Sequence, residues 1–142
     1  MKKFLRFIFL GVVLTLCPYS CQKNNQNETK FIKTESGLKY LIVKEGIGNP
    51  VEVGQEVLIQ ETMSYRNDSL LFDSRNLPSP VKVLVGGSQA IKGVDEGLVG
   101  MKKGEIKILI VPPNLSKRSG NSTFPHPDST LVYEIELIDI LN

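Results

Sequence analysis

Few side chains in this 142-residue sequence are of the types that carry out nucleophilic, acid–base or metal chemistry. The only histidine, His126, lies in a proline-bearing loop, where a single histidine is more often a surface residue than a catalyst. No Ser/His/Asp arrangement can be assembled around it, and there is no glycine-rich phosphate loop. Both cysteines, Cys17 and Cys21, lie near the N-terminus, so the rest of the chain cannot form a disulfide or a cysteine metal site. We therefore predict neither a metal nor a cofactor.

The stretch Phe72-Asp73-Ser74 is where the residue types do suggest a binding site. It precedes a loop that is stiffened by Pro78 and Pro80. Core packing accounts for a phenylalanine there, but less readily for the aspartate beside it. Two interpretations of Asp73 stay open, because it is either a polar contact in a pocket or the side chain of a structural Asx-turn.

The segment that follows, residues 81–105, predicts a strand and then a short helix. Valines at every second position from 81 to 85 have the period of a strand. A pair of glycines then ends the strand, and Ser88 is expected to cap the helix. The helix carries an apolar stripe at i, i+3 and i+7, formed by Ile91, Val94 and Leu98. A short helix that buries this stripe against a sheet is a candidate floor for a pocket.

The remaining predicted elements are all strands with alternating apolar residues. They cover residues 38–42, 57–65, 70–73, 106–111 and 130–141. Residues 114–129 show neither a helical nor a strand period. Strands at short spacing, one helix and no βαβ alternation predict an α+β fold, in which an antiparallel sheet carries a helix on one face.

The N-terminus has the organisation of a secretory signal peptide. Lys2, Lys3 and Arg6 precede an apolar run over residues 7–16, which at about ten residues is too short to span a bilayer. The sequence then turns abruptly polar after Cys21. We predict a signal peptide over residues 1–20, a polar tether over 21–36 and a single folded domain over 37–142.

Cys21, which follows the small Ser20, resembles the lipid-modified cysteine of a bacterial lipoprotein. This resemblance implies a lipid anchor at Cys21 and a protein of the bacterial cell envelope that faces the periplasm or the exterior. The alternative is an incidental cysteine in a cleaved signal. Loss of residues 1–20 removes three basic residues and no acid, which changes the formal net charge from +2 to −1. No basic field remains for nucleic acid, so nucleic acid is not predicted as a partner.

The order of motifs along the domain resembles the FK506-binding protein (FKBP) type of peptidyl-prolyl isomerase. These motifs are Gly54-Gln-Glu-Val57, Phe72-Asp73-Ser74, the helix-bearing segment 85–97, Ile110-Val-Pro-Pro113 and the strand 130–137. The resemblance covers roughly Leu38 to Leu141. It implies a twisted antiparallel sheet wrapped around one short helix, with an apolar pocket between them.

The activity that this resemblance implies needs no nucleophile. Isomerisation of an Xaa-Pro bond crosses a barrier of about 20 kcal/mol because rotation destroys amide resonance. A dry apolar pocket disfavours the planar, charge-separated amide relative to the twisted one, and a hydrogen bond to a flanking carbonyl holds the twisted peptide. The expected partners are therefore Xaa-Pro segments of unfolded or exported proteins.

Matching the family motif residue by residue gives the expected site. The resemblance assigns catalytic roles to Phe72, Asp73, Ile91 and Tyr133, with the Ile91 backbone N–H binding a substrate carbonyl. It assigns pocket positions to Val81, Ala90, Val94, Phe124 and Tyr65. The chain departs from the family at four positions. Val94 replaces a tryptophan on the pocket floor, and Val81 replaces a phenylalanine. Glu61 and Lys117 each stand where the family has a tyrosine. Tyr65 is expected to compensate in part for Glu61.

Three functions remain open from the sequence. The first is a prolyl isomerase that assists the folding of exported proteins. The second is a proline-peptide-binding chaperone or adaptor without turnover, since the pocket has lost aromatic residues. The third is a structural lipoprotein with a filled pocket, in which Ile91, Val94 and Tyr133 are plain core residues.

Overall fold

The computed structural model describes residues 30–117 and 125–141. The described residues form seven strands, two short α-helices and a 3₁₀ turn at Ser74–Asn76. The strands are β1 (Ile32–Lys33), β2 (Lys39–Lys44), β3 (Glu56–Tyr65), β4 (Leu70–Asp73), β5 (Val81–Leu84), β6 (Ile106–Val111) and β7 (Leu131–Ile140). The helices are α1 (Lys92–Leu98) and α2 (Pro113–Ser116).

All strands pair in antiparallel fashion in one sheet with the order β1-β2-β6-β7-β3-β4, and β5 also pairs with β3. β6 and β7 lie at the centre, and α1 packs across the face that carries Leu109 and Val111. The predicted α+β class, an antiparallel sheet with a short helix on one face, is confirmed.

One edge of β3 is shared by two strands. β5 pairs with residues Glu56–Ile59, and β4 pairs with residues 62–64. Ser74 fills the gap between them, because its buried hydroxyl accepts a hydrogen bond from the Glu61 N–H at 2.8 Å and donates one to the side chain of Gln60. A hydroxyl thus replaces the missing strand and satisfies a backbone donor that would otherwise be unpaired.

The core lies between α1 and the inner face of the sheet. It includes every second residue of β7 from Leu131 to Leu137, and the α1 residues Val94 and Leu98. The predicted stripe Ile91, Val94 and Leu98 is buried, with exposed fractions of 5%, 2% and 0%. The helical spacing in the sequence therefore indicated the packed face of α1 correctly.

Two glycines let α1 approach the sheet closely. A Cβ at Gly93 would lie 2.4 Å from Cγ1 of Val111, and a Cβ at Gly97 would lie 2.4 Å from Cδ1 of Leu109. Both distances are shorter than non-bonded carbon atoms allow. The four-residue spacing of the two glycines places both on the helix face that contacts β6.

The structure corrects one detail of the predicted elements and adds two short elements. The residue before the first turn of α1 is Ile91, with no side-chain cap, so Ser88 is not the N-cap. Ser88 has a φ of 59° and lies in the turn after β5, whereas an N-cap needs extended backbone. A second helix, α2, overlaps residues 114–129, where the sequence showed neither a helical nor a strand period. Strand β1 lies within residues 21–36, which were predicted to form the tether. The sheet therefore begins before residue 37.

Candidate functional site

A small depression opens between the start of α1 and the inner face of the sheet. Its volume is about 110 Å³. The walls come from β3, β5, β7 and the segment that leads into α1. The residues that line it are Ile59, Glu61, Val81, Lys82, Val83, Gln89, Ala90, Ile91, Val94 and Tyr133. The structure thus brings together five of the residues that the sequence predicted for the site, namely Val81, Ala90, Ile91, Val94 and Tyr133.

The segment between β5 and α1 is held by two side chains. The Gln89 side chain accepts a hydrogen bond from the Leu84 N–H at 2.9 Å, and Asp95 Oδ1 accepts one from the Gly86 N–H at 3.1 Å. These bonds fasten the segment to β5 on one side and to α1 on the other. They fix the position of Ile91, whose backbone N–H makes no hydrogen bond within the described residues.

Two buried side chains form the depths of the depression. Val94 is 2% exposed and Tyr133 is 4% exposed, so only small parts of each reach the opening. The Tyr133 hydroxyl donates to Sδ of Met63 at 2.9 Å, which orients the ring along β3. A single aromatic ring, a valine floor and a backbone donor are the groups that an entering apolar ring would meet.

Phe72 and Asp73 lie on opposite faces of the sheet. The register pairs Phe72 with Met63 and Met63 with Tyr133, which is the buried row. Phe72 packs half-buried against the core there but does not line the depression. Asp73 falls in the next row, with Thr62 and the exposed Glu134, and successive residues of a strand point to opposite faces.

The contacts of Asp73 are those of a turn residue. Its Oδ1 accepts a hydrogen bond from the Arg75 N–H at 2.9 Å and lies 3.7 Å from Arg75 Nε. Arg75 in turn reaches Glu134 at 3.3 Å. The side chain therefore caps the 3₁₀ turn, which is the geometry of the Asx-turn alternative. The structure does not bring it to the depression.

The other predicted site residues lie elsewhere. Tyr65 lines a separate depression, and its hydroxyl accepts a hydrogen bond from the backbone N–H of His126 at 3.1 Å. Lys117 lines a basin next to the depression. Phe124 and Cys21 lie outside the described residues.

Sequence reasoning did not select four of the lining residues: Ile59, Lys82, Val83 and Gln89. Ile59 and Val83 could have been found, because the period of two places Ile59 on the same face as Glu61, and Val83 on that of Val81. Gln89 carried no such signal, since it lies in a turn.

A larger cavity, of about 520 Å³, lies at the other end of α1. At its base Lys107 Nζ donates a hydrogen bond to the carbonyl of Gly97 at 3.1 Å, lies 3.3 Å from Glu105 Oε1 and sits 5.1 Å from the centre of the Tyr40 ring. Burial lowers the pKa of Lys107, and the carboxylate of Glu105 opposes this shift. This cavity has a buried ion pair at its base and acidic residues at its rim, which is a poor match for a neutral proline ring.

No group of three or more His, Cys, Asp or Glu side chains in residues 30–117 and 125–141 is placed to hold a metal ion. In the same ranges, no helix is both long and apolar enough to cross a membrane.

Comparison with known proteins returned a consistent set of matches. The model of the family described as FKBP-type peptidyl-prolyl cis-trans isomerase matches residues 48–138. FK506-binding protein 1 of Dictyostelium discoideum is 36% identical over 104 residues, which is 72% of this chain and 96% of that protein. The peptidyl-prolyl cis-trans isomerase Mip of Chlamydia muridarum is 31% identical over 118 residues, which is 82% of this chain.

Solved structures agree with these matches. The crystal structure of FkpA from Escherichia coli superposes with a TM-score of 0.70 at 29% identity and covers 80% of this chain. The structure of AtFKBP13 superposes with a TM-score of 0.68 at 26% identity, and 99% of that chain is covered. This chain spans only about half of the longer relatives, 47% of Mip and 52% of FkpA.

Proposed function

The chain belongs to the FKBP-type peptidyl-prolyl cis-trans isomerase family, and from this premise we propose that it isomerises Xaa-Pro bonds of exported proteins in a bacterial cell envelope. The observation that carries the proposal is the depression before α1, where the Ile91 N–H, which makes no hydrogen bond to residues 30–117 or 125–141, adjoins Val94 and Tyr133. A proline ring enters over Val94, and the Ile91 N–H binds a neighbouring carbonyl. The apolar side chains of Val81, Ala90 and Val94 disfavour the planar, charge-separated amide, so rotation is faster than in water.

The roles of the site residues follow from their positions. Val81 and Ala90 form the walls, Val94 the floor and Tyr133 the aromatic face, while Ile91 supplies the donor. Phe72 on β4 supports Tyr133 on β7 through Met63, which lies between them on β3 in the same cross-strand row. Asp73 acts through the 3₁₀ turn that it caps, not through the substrate.

A second function is favoured by one observation, the small size of the depression. Among the described residues that line this depression of about 110 Å³, valines at 81 and 94 leave Tyr133 as the only aromatic side chain. A site with so little aromatic surface could hold a proline peptide without accelerating its isomerisation. In that case the protein is a binding chaperone or adaptor.

NMR exchange spectroscopy on a series of Xaa-Pro peptides, with the residue before proline varied, separates the two functions. We expect the purified protein to accelerate exchange and the variant Ala90→Leu to abolish it, because the added side chain fills the depression. Ser79→Leu, which adds an apolar side chain in an exposed loop, is the matched control and should keep the wild-type rate. Peptide binding with no acceleration by the wild type would select the binding function instead.

The envelope location is proposed from Cys21 and the apolar run before it. We propose that lipid on Cys21 anchors the protein, with a polar tether between the membrane and the domain. In cells that express the full chain, Cys21→Ser should move the protein from the membrane fraction to the soluble fraction. Cys17→Ser, the matched control, should leave it in the membrane fraction. Equal behaviour of both variants would contradict the anchor.

A further inference from the structure

The depression continues into a second, more open basin. Gln89, Ala90 and Ile91 line both of them, so the two adjoin at the backbone donor of Ile91. The basin has a volume of about 400 Å³ and also includes Ser88, Lys92, Asp95 and Lys117. One extended residue spans about 3.5 Å, so the basin is within reach of residues next to the proline.

The charges change sign along this path. Glu61 lies in the wall of the depression, whereas the basin carries two exposed ammonium groups, Lys92 and Lys117. Asp95 supplies one negative charge against these two positive charges, and its Oδ1 accepts a hydrogen bond from the Gly86 N–H. Lys82, at the edge of the depression, is paired with Glu56 at 2.7 Å. The basin is therefore a net positive surface directly beside the proposed proline site.

We infer that Lys92 and Lys117 make this site select Xaa-Pro segments with an acidic residue within two positions of the proline. The inference rests on the proposed function and deepens it by naming the substrate class. A carboxylate in the basin gains attraction from two ammonium groups, and a basic side chain there is repelled by them. Because both lysines are exposed, water and salt weaken the effect, and a preference of roughly two- to five-fold is expected.

The test compares three peptides that differ only in one residue, Glu, Gln or Lys, placed in turn at each position from two before to two after the proline. The readout is the ratio of kcat/KM between the Glu and the Lys peptide, which normalises for the activity of each variant. At 0.1 M salt, where the screening length is about 10 Å, the ratio should exceed about two at one position or more. At 1 M salt, where that length is about 3 Å, it should approach one.

The variant Lys92→Gln/Lys117→Gln should bring the ratio close to one at 0.1 M salt. Lys39→Gln removes the same kind of charge from an exposed site on β2 and should retain the wild-type ratio. Equal rates for the three peptides with the wild type would overturn the inference while leaving the isomerase function intact. A ratio that survives in the double variant would overturn it as well, because another group would then be the source.

Loss of the proposed function has a different signature. If the protein accelerates the isomerisation of none of the peptides, the catalytic function is wrong. The preference for acidic segments is then tested by the ratio of the dissociation constants of the Lys and Glu peptides, with the same expected values for wild type and variants. Absence of binding by every peptide would overturn both.

Discussion

At the residue scale, Asp73 shows how the side chain of a motif residue can take part in a turn of the fold. The Phe-Asp pair is recognisable in the sequence, but the direction of each side chain depends on strand register. Because of the register, the side chain of Phe72 lies on the buried face of the sheet, and that of Asp73 lies on the opposite face, in the row of Glu134. The Asx-turn alternative came from the residue type and its place before a turn, so it was available from the sequence.

We predict that Asp73→Ala lowers the free energy of unfolding by about 0.5–2 kcal/mol, because the Arg75 N–H loses its acceptor. Asp73→Asn is the matched control, since its amide oxygen can accept the same hydrogen bond and should keep most of the stability. Urea denaturation of the two variants measures the difference. Isomerisation rates per folded molecule should be close to wild type in both, and a large loss of rate in a stable Asp73→Asn would mean that the carboxylate contacts the substrate.

At the element scale, the fold was predictable wherever the apolar period was strong. Helix α1 and the alternation in β7 follow directly from spacing, and both are buried as expected. The start of α1 was not predictable from Ser88, because a serine is also common in turns and here has a φ of 59°. Helix α2 and strand β1 are four and two residues long, too short for any period to show.

The closeness of α1 to β6 predicts a difference between two glycine variants. In Gly93→Ala the new Cβ meets Val111, whose β-branched side chain has little freedom, whereas in Gly97→Ala it meets the ends of Leu109. Overpacking costs about 1–3 kcal/mol, against a gain of about 1 kcal/mol in helix propensity. We expect Gly93→Ala to be the more destabilising of the two by chemical denaturation. It should also slow isomerisation, because α1 carries Val94 and begins at Ile91.

If Gly97→Ala lowers the free energy of unfolding more than Gly93→Ala does, then the side chain of Val111 adjusts to the added Cβ more easily than that of Leu109. Unchanged stability in both variants would show that α1 does not press on β6 as closely as the distances indicate.

At the scale of the whole molecule, Lys107 and Glu105 join the end of α1 to the sheet. Their side chains are 7% and 3% exposed. Nothing in the sequence indicated this pair, because a lysine in a strand is normally predicted to lie on the solvent-exposed face of the sheet. The pairing register and the helix above it are needed to see that position 107 faces inward.

We predict that Lys107→Met lowers the free energy of unfolding by about 3–5 kcal/mol, because it leaves the Glu105 carboxylate buried without its counter-charge. The double variant Lys107→Met/Glu105→Leu should recover most of this loss, because no buried charge is left. Denaturation of the two single variants and the double variant gives the coupling free energy. Additive effects would contradict a coupled pair.

The pair also predicts a pH dependence. The pKa of Lys107 is lower in the folded chain than its ordinary value of 10.5. Between these two pKa values the unfolded chain binds more protons, so stability due to Lys107 rises with pH in the interval below 10.5. The difference in unfolding free energy between wild type and Lys107→Met should therefore grow with pH there. A difference that is flat or falls with pH would show that the pKa is not lowered.

In the proposed function, the proline ring enters the small depression at Ile91 and not the larger cavity at Lys107. Intermolecular nuclear Overhauser effects between a bound Xaa-Pro peptide and methyl groups of the protein test this directly. We expect contacts from the proline ring to the methyl groups of Ile91 and Val94. Contacts to Leu38 and Ile42, which line the larger cavity, would contradict it.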